Sequence, residues 1–157
     1  METQIEHLSC IVIRHRKENL RKCSLRGLED RSDMAFFRYP SCVPKLPSFE
    51  GSILLDMEGE ELSREDNGPI VVLDATWRYA STMMRHIPQL GQCQRRRIPQ
   101  GWSTAYPRKQ SDCLDPSRGL ASIEAIYVAF MVMGRNLEGL LDSYYWKDLF
   151  LEKNNIP

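Results

Sequence analysis

The apolar positions of this chain fall into short runs divided by charged or turn-forming stretches. Residues 8–13 are apolar and rich in β-branched side chains, which predicts a buried strand. The next stretch, KENLRKCSLRGL, sets leucines at helical spacing among charges and reads as a helix ending near Gly27. Residues 35–39 predict a second strand, stopped by Pro40, and SCVPKLPSFEGS reads as irregular or turn-rich. A short strand is expected over 53–57, followed by an acidic exposed loop, EGEELSREDNGP. Residues 70–73 are four large aliphatic residues in a row. The lack of alternation implies burial on both faces, as in a parallel α/β sheet.

Beyond Trp77, the positions of Tyr79, Met83 and Met84 predict a helix that runs up to Pro88. Residues 95–98 predict one more strand. PQGWSTAYPRKQSDCLDPSRG then shows no regular period; a loop of that length in a small domain is usually functional or disordered, and its two aromatics favour the former. Residues 120–133 form a strongly apolar helix with Gly134 as its C-cap, and NLEGLLDSYYWKDLFLEKN reads as a last amphipathic helix or helix pair. The layout is an N-terminal α/β part over 1–69 and a second part over 70–157, helical at its end, packed as one compact unit. No internal repeat interrupts it.

Composition adds little to this pattern and removes several classes. At 157 residues the chain has room for one well-buried core, or for one domain plus a small appendage. Its 21 basic residues balance 21 acidic ones, so only a local patch can point to a charged partner. No run approaches the length of a membrane span, and the polar first eight residues give no secretory signal. The five cysteines and three histidines are scattered, without C-x-x-C or zinc-ligand spacing, so no metal is expected. Reduced thiols in a cytoplasmic protein follow from this usage.

Four segments carry candidate chemistry. In VVLDATWRYASTMM the apolar strand ends on Asp74, Thr76 and Trp77, where an open α/β sheet places its ligands. Asp74 is suited to bind an amine or accept a proton, and Trp77 to wall a pocket for a flat group. Equally, Asp74 or Thr76 caps the following helix and Trp77 packs in the core. A second segment sets Arg95, Arg96 and Arg97 ahead of Trp102, Tyr106, Arg108 and Lys109. Basic charge interleaved with aromatics suits RNA phosphates and unpaired bases, while an arginine run is also an ordinary solvated face. In the third, Ser117, Gly119, Ser122 and Glu124 open the apolar helix. Its free N–H groups hold a ligand, or Ser122 caps it and Glu124 offsets its dipole. In the fourth, RKCSL, Lys22 and Ser24 are candidate contacts, and Cys23 reads as a packed residue rather than a nucleophile.

The order of these segments resembles the aminocarboxypropyltransferase superfamily, which joins small-subunit rRNA enzymes to DTW-domain tRNA enzymes and is related in fold to the SPOUT methyltransferases. Asp74, Thr76 and Trp77 match its D-x-[ST]-W motif. Ala121, Ser122, Glu124 and Ala125 match its helix-opening motif. RKCSL and YYWKDLFLEKN are similar to early and late segments of the rRNA branch, and the zinc-ligand cysteines of the tRNA branch are absent. GLASIEA and the threonine of DATW are closer to the tRNA branch. TAYPRKQ stands where the rRNA enzymes carry Asn-Pro-x-x-Tyr-Gly.

The resemblance implies an α/β SPOUT-like sheet, trefoil-knotted, with flanking helices and a helical C-terminal part. It also implies transfer of the 3-amino-3-carboxypropyl group of S-adenosylmethionine to a uridine- or pseudouridine-type base of structured RNA, small-subunit rRNA before tRNA. Asp74 then grips the methionine amino group or acts as base, and Trp77 borders the donor. Ser24 reaches the donor from the N-terminal part, and Tyr106, Leu120, Ala121 and Ser122 line its adenosine side. Arg95, Arg96, Arg97, Arg108 and Lys109 face RNA phosphates. The competing expectations are a SPOUT-like RNA methyltransferase and a non-catalytic RNA-binding assembly factor.

Overall fold

The computed structural model describes residues 5–18, 23–107 and 119–157, without the side chain of Trp77. Among them the strands are β1 (Cys10–His15), β2 (Met34–Tyr39), β3 (Ile53–Glu61), β4 (Ile70–Asp74) and β5 (Gln94–Arg97). The helices are α1 (Trp77–His86), α2 (Ser122–Met133) and α3 (Lys147–Lys153). Two 3-10 turns, Val43–Lys45 and Pro88–Gln92, link them. All strand pairings are parallel, in the order β2–β1–β4–β3–β5, so strands from both halves of the chain share one sheet. None of the described helices is long and apolar enough to cross a membrane.

Apolar β1 and β4 are buried on both faces because each face meets its own core. Cys10, Val12, Ile70 and Val72 point into one cluster with α2 and Phe150 of α3. Ile11, Ile13 and Val71, one residue out of phase, pack with Met83 and Ile87 at the α1 side. This phase continues to the strand ends: Arg14 and Asp74, in register across β1 and β4, lie on the α2 side. β1 leads to β2 on one side, whereas β4 leads through α1 to β5 on the other. The C-terminal ends of β1 and β4 therefore mark the crevice where open α/β sheets bind ligands.

Three expectations need correction. KENLRKCSLRGL is turn, not helix, in its described residues 24–27, and residues 19–22, Lys22 included, lie outside the description. Its helix-like spacing of Leu25 and Leu28 reflects two core anchors, 0% and 4% exposed, on either side of Gly27 at φ +100°. Second, β3 runs on to Glu61 through residues expected to form an acidic loop. The arginines of β5 make this possible, because Glu60 stands opposite Arg96 and Glu61 opposite Arg97 across the ladder. The register shifts between Leu55 and Glu60, where a Cβ on Gly59 would lie 2.5 Å from the Arg95 carbonyl carbon. Third, within 136–154 only α3 is helical. The preceding turns bury Leu140, Leu141 and Tyr144 without forming a helix.

Candidate functional site

The cleft begins where β3 leaves β4. These two strands pair only at Ile53–Ile70 and Leu54–Val71, while β3 continues beside β5. The gap widens into a cavity of about 1190 Å3, with Val72, Leu73 and Asp74 on one wall and Leu55, Asp56 and Met57 on the other. Tyr106 and the residues that open α2 line it as well.

Asp74 is the most connected residue of this cleft. It is 3% exposed and accepts from Arg14 Nε and Cys23 Sγ at its Oδ2, each at 3.1 Å, and from Ser122 Oγ at its Oδ1, also 3.1 Å. Arg14 is held in turn over the Phe36 ring at 5.1 Å and beside Glu29 at 3.7 Å. A carboxylate offers about four acceptor sites, and the three named donors leave room for one more. Burial, reinforced by the charge of Asp74, pushes the Cys23 thiol up to about 12, so it is a packed donor and not a thiolate nucleophile. Ligand atoms of Glu18, Cys23 and Asp74 come within 4.8 Å of one another, but the guanidinium of Arg14 already supplies the positive charge at Asp74.

Asp74 does not cap α1. Thr76 occupies the N-cap position without a side-chain bond to the helix, and Trp77 is the first helical residue. The start of α2 is built differently. Ala121 has no side chain able to cap, and the N–H of Ile123 instead finds Ser24 Oγ at 3.2 Å, from a turn 99 residues earlier. Ser24 thus serves the helix directly and lines the cleft beside it. Ser122 spends its hydroxyl on Asp74 rather than on the helix end.

Glu124 holds the opposite side together. Fully buried, it accepts at Oε1 from Thr104 Oγ1 (2.6 Å) and Ala121 N (2.8 Å). At Oε2 it accepts from Ala105 N (2.8 Å) and Tyr144 Oη (2.9 Å). The segment leading to Tyr106 is gripped from α3 too. Asn154 Oδ1 accepts from Ser103 N at 2.7 Å, and Asn154 Nδ2 donates to Ser103 O at 2.9 Å and Phe150 O at 2.8 Å.

The expected donor-binding residues Ser24, Asp74, Tyr106, Leu120, Ala121 and Ser122 all line this cleft, although they span nearly a hundred positions. Trp77 follows the cleft-lining Thr76 as the first residue of α1, and its side chain lies outside the description. Arg95 and Arg97 line the cleft, but each of the three arginines has a carboxylate beside it: Asp56 at 3.6 Å, Asp66 at 3.0 Å and Glu61 at 3.7 Å for Arg95, Arg96 and Arg97. Their charge is compensated locally. Arg108, Lys109 and Ser117 lie outside the described residues. Sequence reasoning missed Arg14, whose signal was a lone charge on the buried face of CIVIRH. It also missed Asn154 as a clamp and Asp56 and Met57 as a cleft wall.

No protein-family model and no curated protein matches the sequence. Among solved structures, the chain is similar to the SAM-dependent rRNA:acp-transferase Tsr3 from Vulcanisaeta distributa. The TM-score is 0.68 at 23% sequence identity, and the match covers 94% of this chain and 79% of that one. At this identity the likeness is one of fold, and it agrees with the expected SPOUT-like α/β sheet.

Proposed function

We propose that the protein transfers the 3-amino-3-carboxypropyl group of S-adenosylmethionine to a uridine- or pseudouridine-type base of RNA, with small-subunit rRNA as the favoured substrate. One observation carries the reading. Six residues singled out from the sequence, from Ser24 to Ser122, converge on one crevice at the C-terminal end of β4, in a fold shared with a SAM-dependent rRNA:acp-transferase. The trefoil path implied by the resemblance belongs to this proposal.

The crevice suits the amino-acid end of such a donor. Asp74 offers its remaining acceptor site to an ammonium group, and the N-terminal end of α2 beside it favours a carboxylate. The sulfonium supplies three electrophilic carbons, so the product depends on which one meets the nucleophile. Positioning is therefore the main catalytic contribution of the chain. Arg14, Cys23 and Ser122 hold Asp74 in place and already occupy most of its acceptor capacity, which favours the ligand role of Asp74 over that of base. Ser24, Leu120 and Ala121 shape the donor wall, Trp77 borders it, and Arg95 and Arg97 face the RNA with Arg96, Arg108 and Lys109.

The test is mass spectrometry of rRNA and tRNA nucleosides from cells with and without the gene. Loss of an aminocarboxypropyl nucleoside from rRNA supports the reading, and loss from tRNA moves the substrate to the other branch. Loss of only a methyl mark replaces the reaction with methyl transfer. Unchanged nucleosides, together with no S-adenosylmethionine binding by calorimetry, leave an RNA-binding assembly factor.

A further inference from the structure

The donor reading uses one wall of the cleft and gives no role to Leu55, Asp56 and Met57 of β3 on the other, beside the RNA-facing arginines of β5. At about 1190 Å3 the cavity is larger than a usual single-ligand pocket of about 300–1,000 Å3. The unused wall is also unusual in composition. Met57 is 66% exposed, a large apolar side chain turned to solvent on a strand that has left its neighbour. Leu55 and Ile98 continue the apolar surface into the cleft. Beside them Asp56 Oδ2 and Arg95 Nε stand 3.6 Å apart, an acceptor next to a donor. Asp56 is fixed by a second bond, from the Glu58 N–H to its Oδ1 at 3.0 Å.

We propose that this wall is the acceptor-base subsite and that it takes an unstacked uracil-type base. Its flat face lies on Met57 and Leu55, where a thioether and an aliphatic side chain meet a ring favourably. The imide edge of such a base presents an N–H flanked by carbonyls. Asp56 accepts from that N–H, and Arg95 donates to the neighbouring carbonyl. With the ring nitrogen held at Asp56, cytosine sets an unprotonated lone pair against the carboxylate, so the register that suits a uracil-type base disfavours it. The inference rests on the transfer reading for its chemistry. In that chemistry Asp56 takes the imide proton, the nitrogen lone pair forms the new C–N bond, and the C–S pair returns to sulfur as a neutral thioether. Asp74, already bonded to Arg14, Cys23 and Ser122, stays with the donor.

The experiment uses the full chain and a short cytidine oligonucleotide carrying one 4-thiouridine, irradiated and mapped by peptide mass spectrometry. The expected cross-links fall on residues 55–58 or 95–98, and uridine monophosphate competes at least about tenfold better than cytidine monophosphate. Asp56→Asn and Met57→Ala lower the cross-link yield by about tenfold while shifting S-adenosylmethionine affinity less than about twofold in calorimetry. Cross-links confined to other segments, equal competition by both nucleotides, or an undiminished yield in Asp56→Asn overturns the subsite. A wild-type chain that cross-links as expected yet binds no S-adenosylmethionine refutes the transfer reading and upholds the base subsite.

Discussion

Replacing Glu124 by glutamine tests whether the buried carboxylate is matched to its donors or merely fills space. A carboxylate is acceptor-only, and all four of its partners donate: two hydroxyls and two backbone N–H groups. The two backbone donors fall on different oxygens, Ala121 on Oε1 and Ala105 on Oε2. Either orientation of a glutamine amide therefore sets its NH2 against one backbone N–H that cannot turn away. The hydroxyls of Thr104 and Tyr144 can rotate and accept instead. A buried donor left without a partner costs about 1–3 kcal/mol, so Glu124→Gln should destabilise by about 2 kcal/mol. For a chain of this size that lowers Tm by about 4–8 °C. Glu124→Ala orphans both backbone donors and should cost about 2–6 kcal/mol. The assay is urea unfolding with an unchanged m-value, combined with hydrogen exchange at the Ala105 and Ala121 amides. A glutamine variant within about 0.5 kcal/mol of wild type, with both amides still protected, would refute the matched-donor argument.

Further expectations follow from other contacts. Asn154→Ala removes the clamp on both backbone groups of Ser103; its amide should lose protection and S-adenosylmethionine affinity should fall several-fold, whereas unchanged exchange would show that the clamp holds nothing. Cys23 and Cys93 are raised by burial to about 12 and about 11, so iodoacetamide at about pH 8 should label them more than about 100-fold more slowly in the folded chain than in urea. His15 is held below its usual value by burial, then by Arg16 and Lys17. The unfolded chain therefore binds the proton more readily, and the His15 contribution is complete above about pH 6.5 and lost as pH falls through the lower folded value. Tm should drop between about pH 7 and pH 5, and His15→Gln should flatten that drop. Asp74→Asn keeps the shape of the site but weakens the hold on Arg14 and on a donor ammonium; S-adenosylmethionine affinity should fall by at least about tenfold, and an unchanged affinity would remove Asp74 from the donor site.

What could be read from the sequence was set by local pattern. Residues 70–73 lie on a strand buried on both faces, and the run of aliphatic side chains announces that directly. Gly134 ends α2 at φ 75°, a cap visible as a glycine after an apolar helix. The failures lie where long-range partners override local preference. EGEE is a poor strand by composition and becomes one because arginines 36 residues later stand across from it. KCSLRGL has leucines at helical spacing, yet Cys23 reaches Asp74 and Ser24 reaches α2, and both bonds require the chain to turn.

The same distinction decides how the strand end Asp74–Ala75–Thr76–Trp77 is to be understood. By itself it offers a helix cap, and Thr76 does stand at the cap position of α1 while bonding nothing there. The carboxylate of Asp74 points the other way, because residues 70, 72 and 74 face α2. Its partners come from residues 14, 23 and 122, three segments that only the parallel sheet brings together. A cap would need none of them. Burying a carboxylate costs several kcal/mol unless it is paired and hydrogen-bonded, and Arg14 with two further donors offsets that cost. The result is a buried acceptor on the wall of a cleft, and under the proposed transfer an ammonium ligand takes what remains of it.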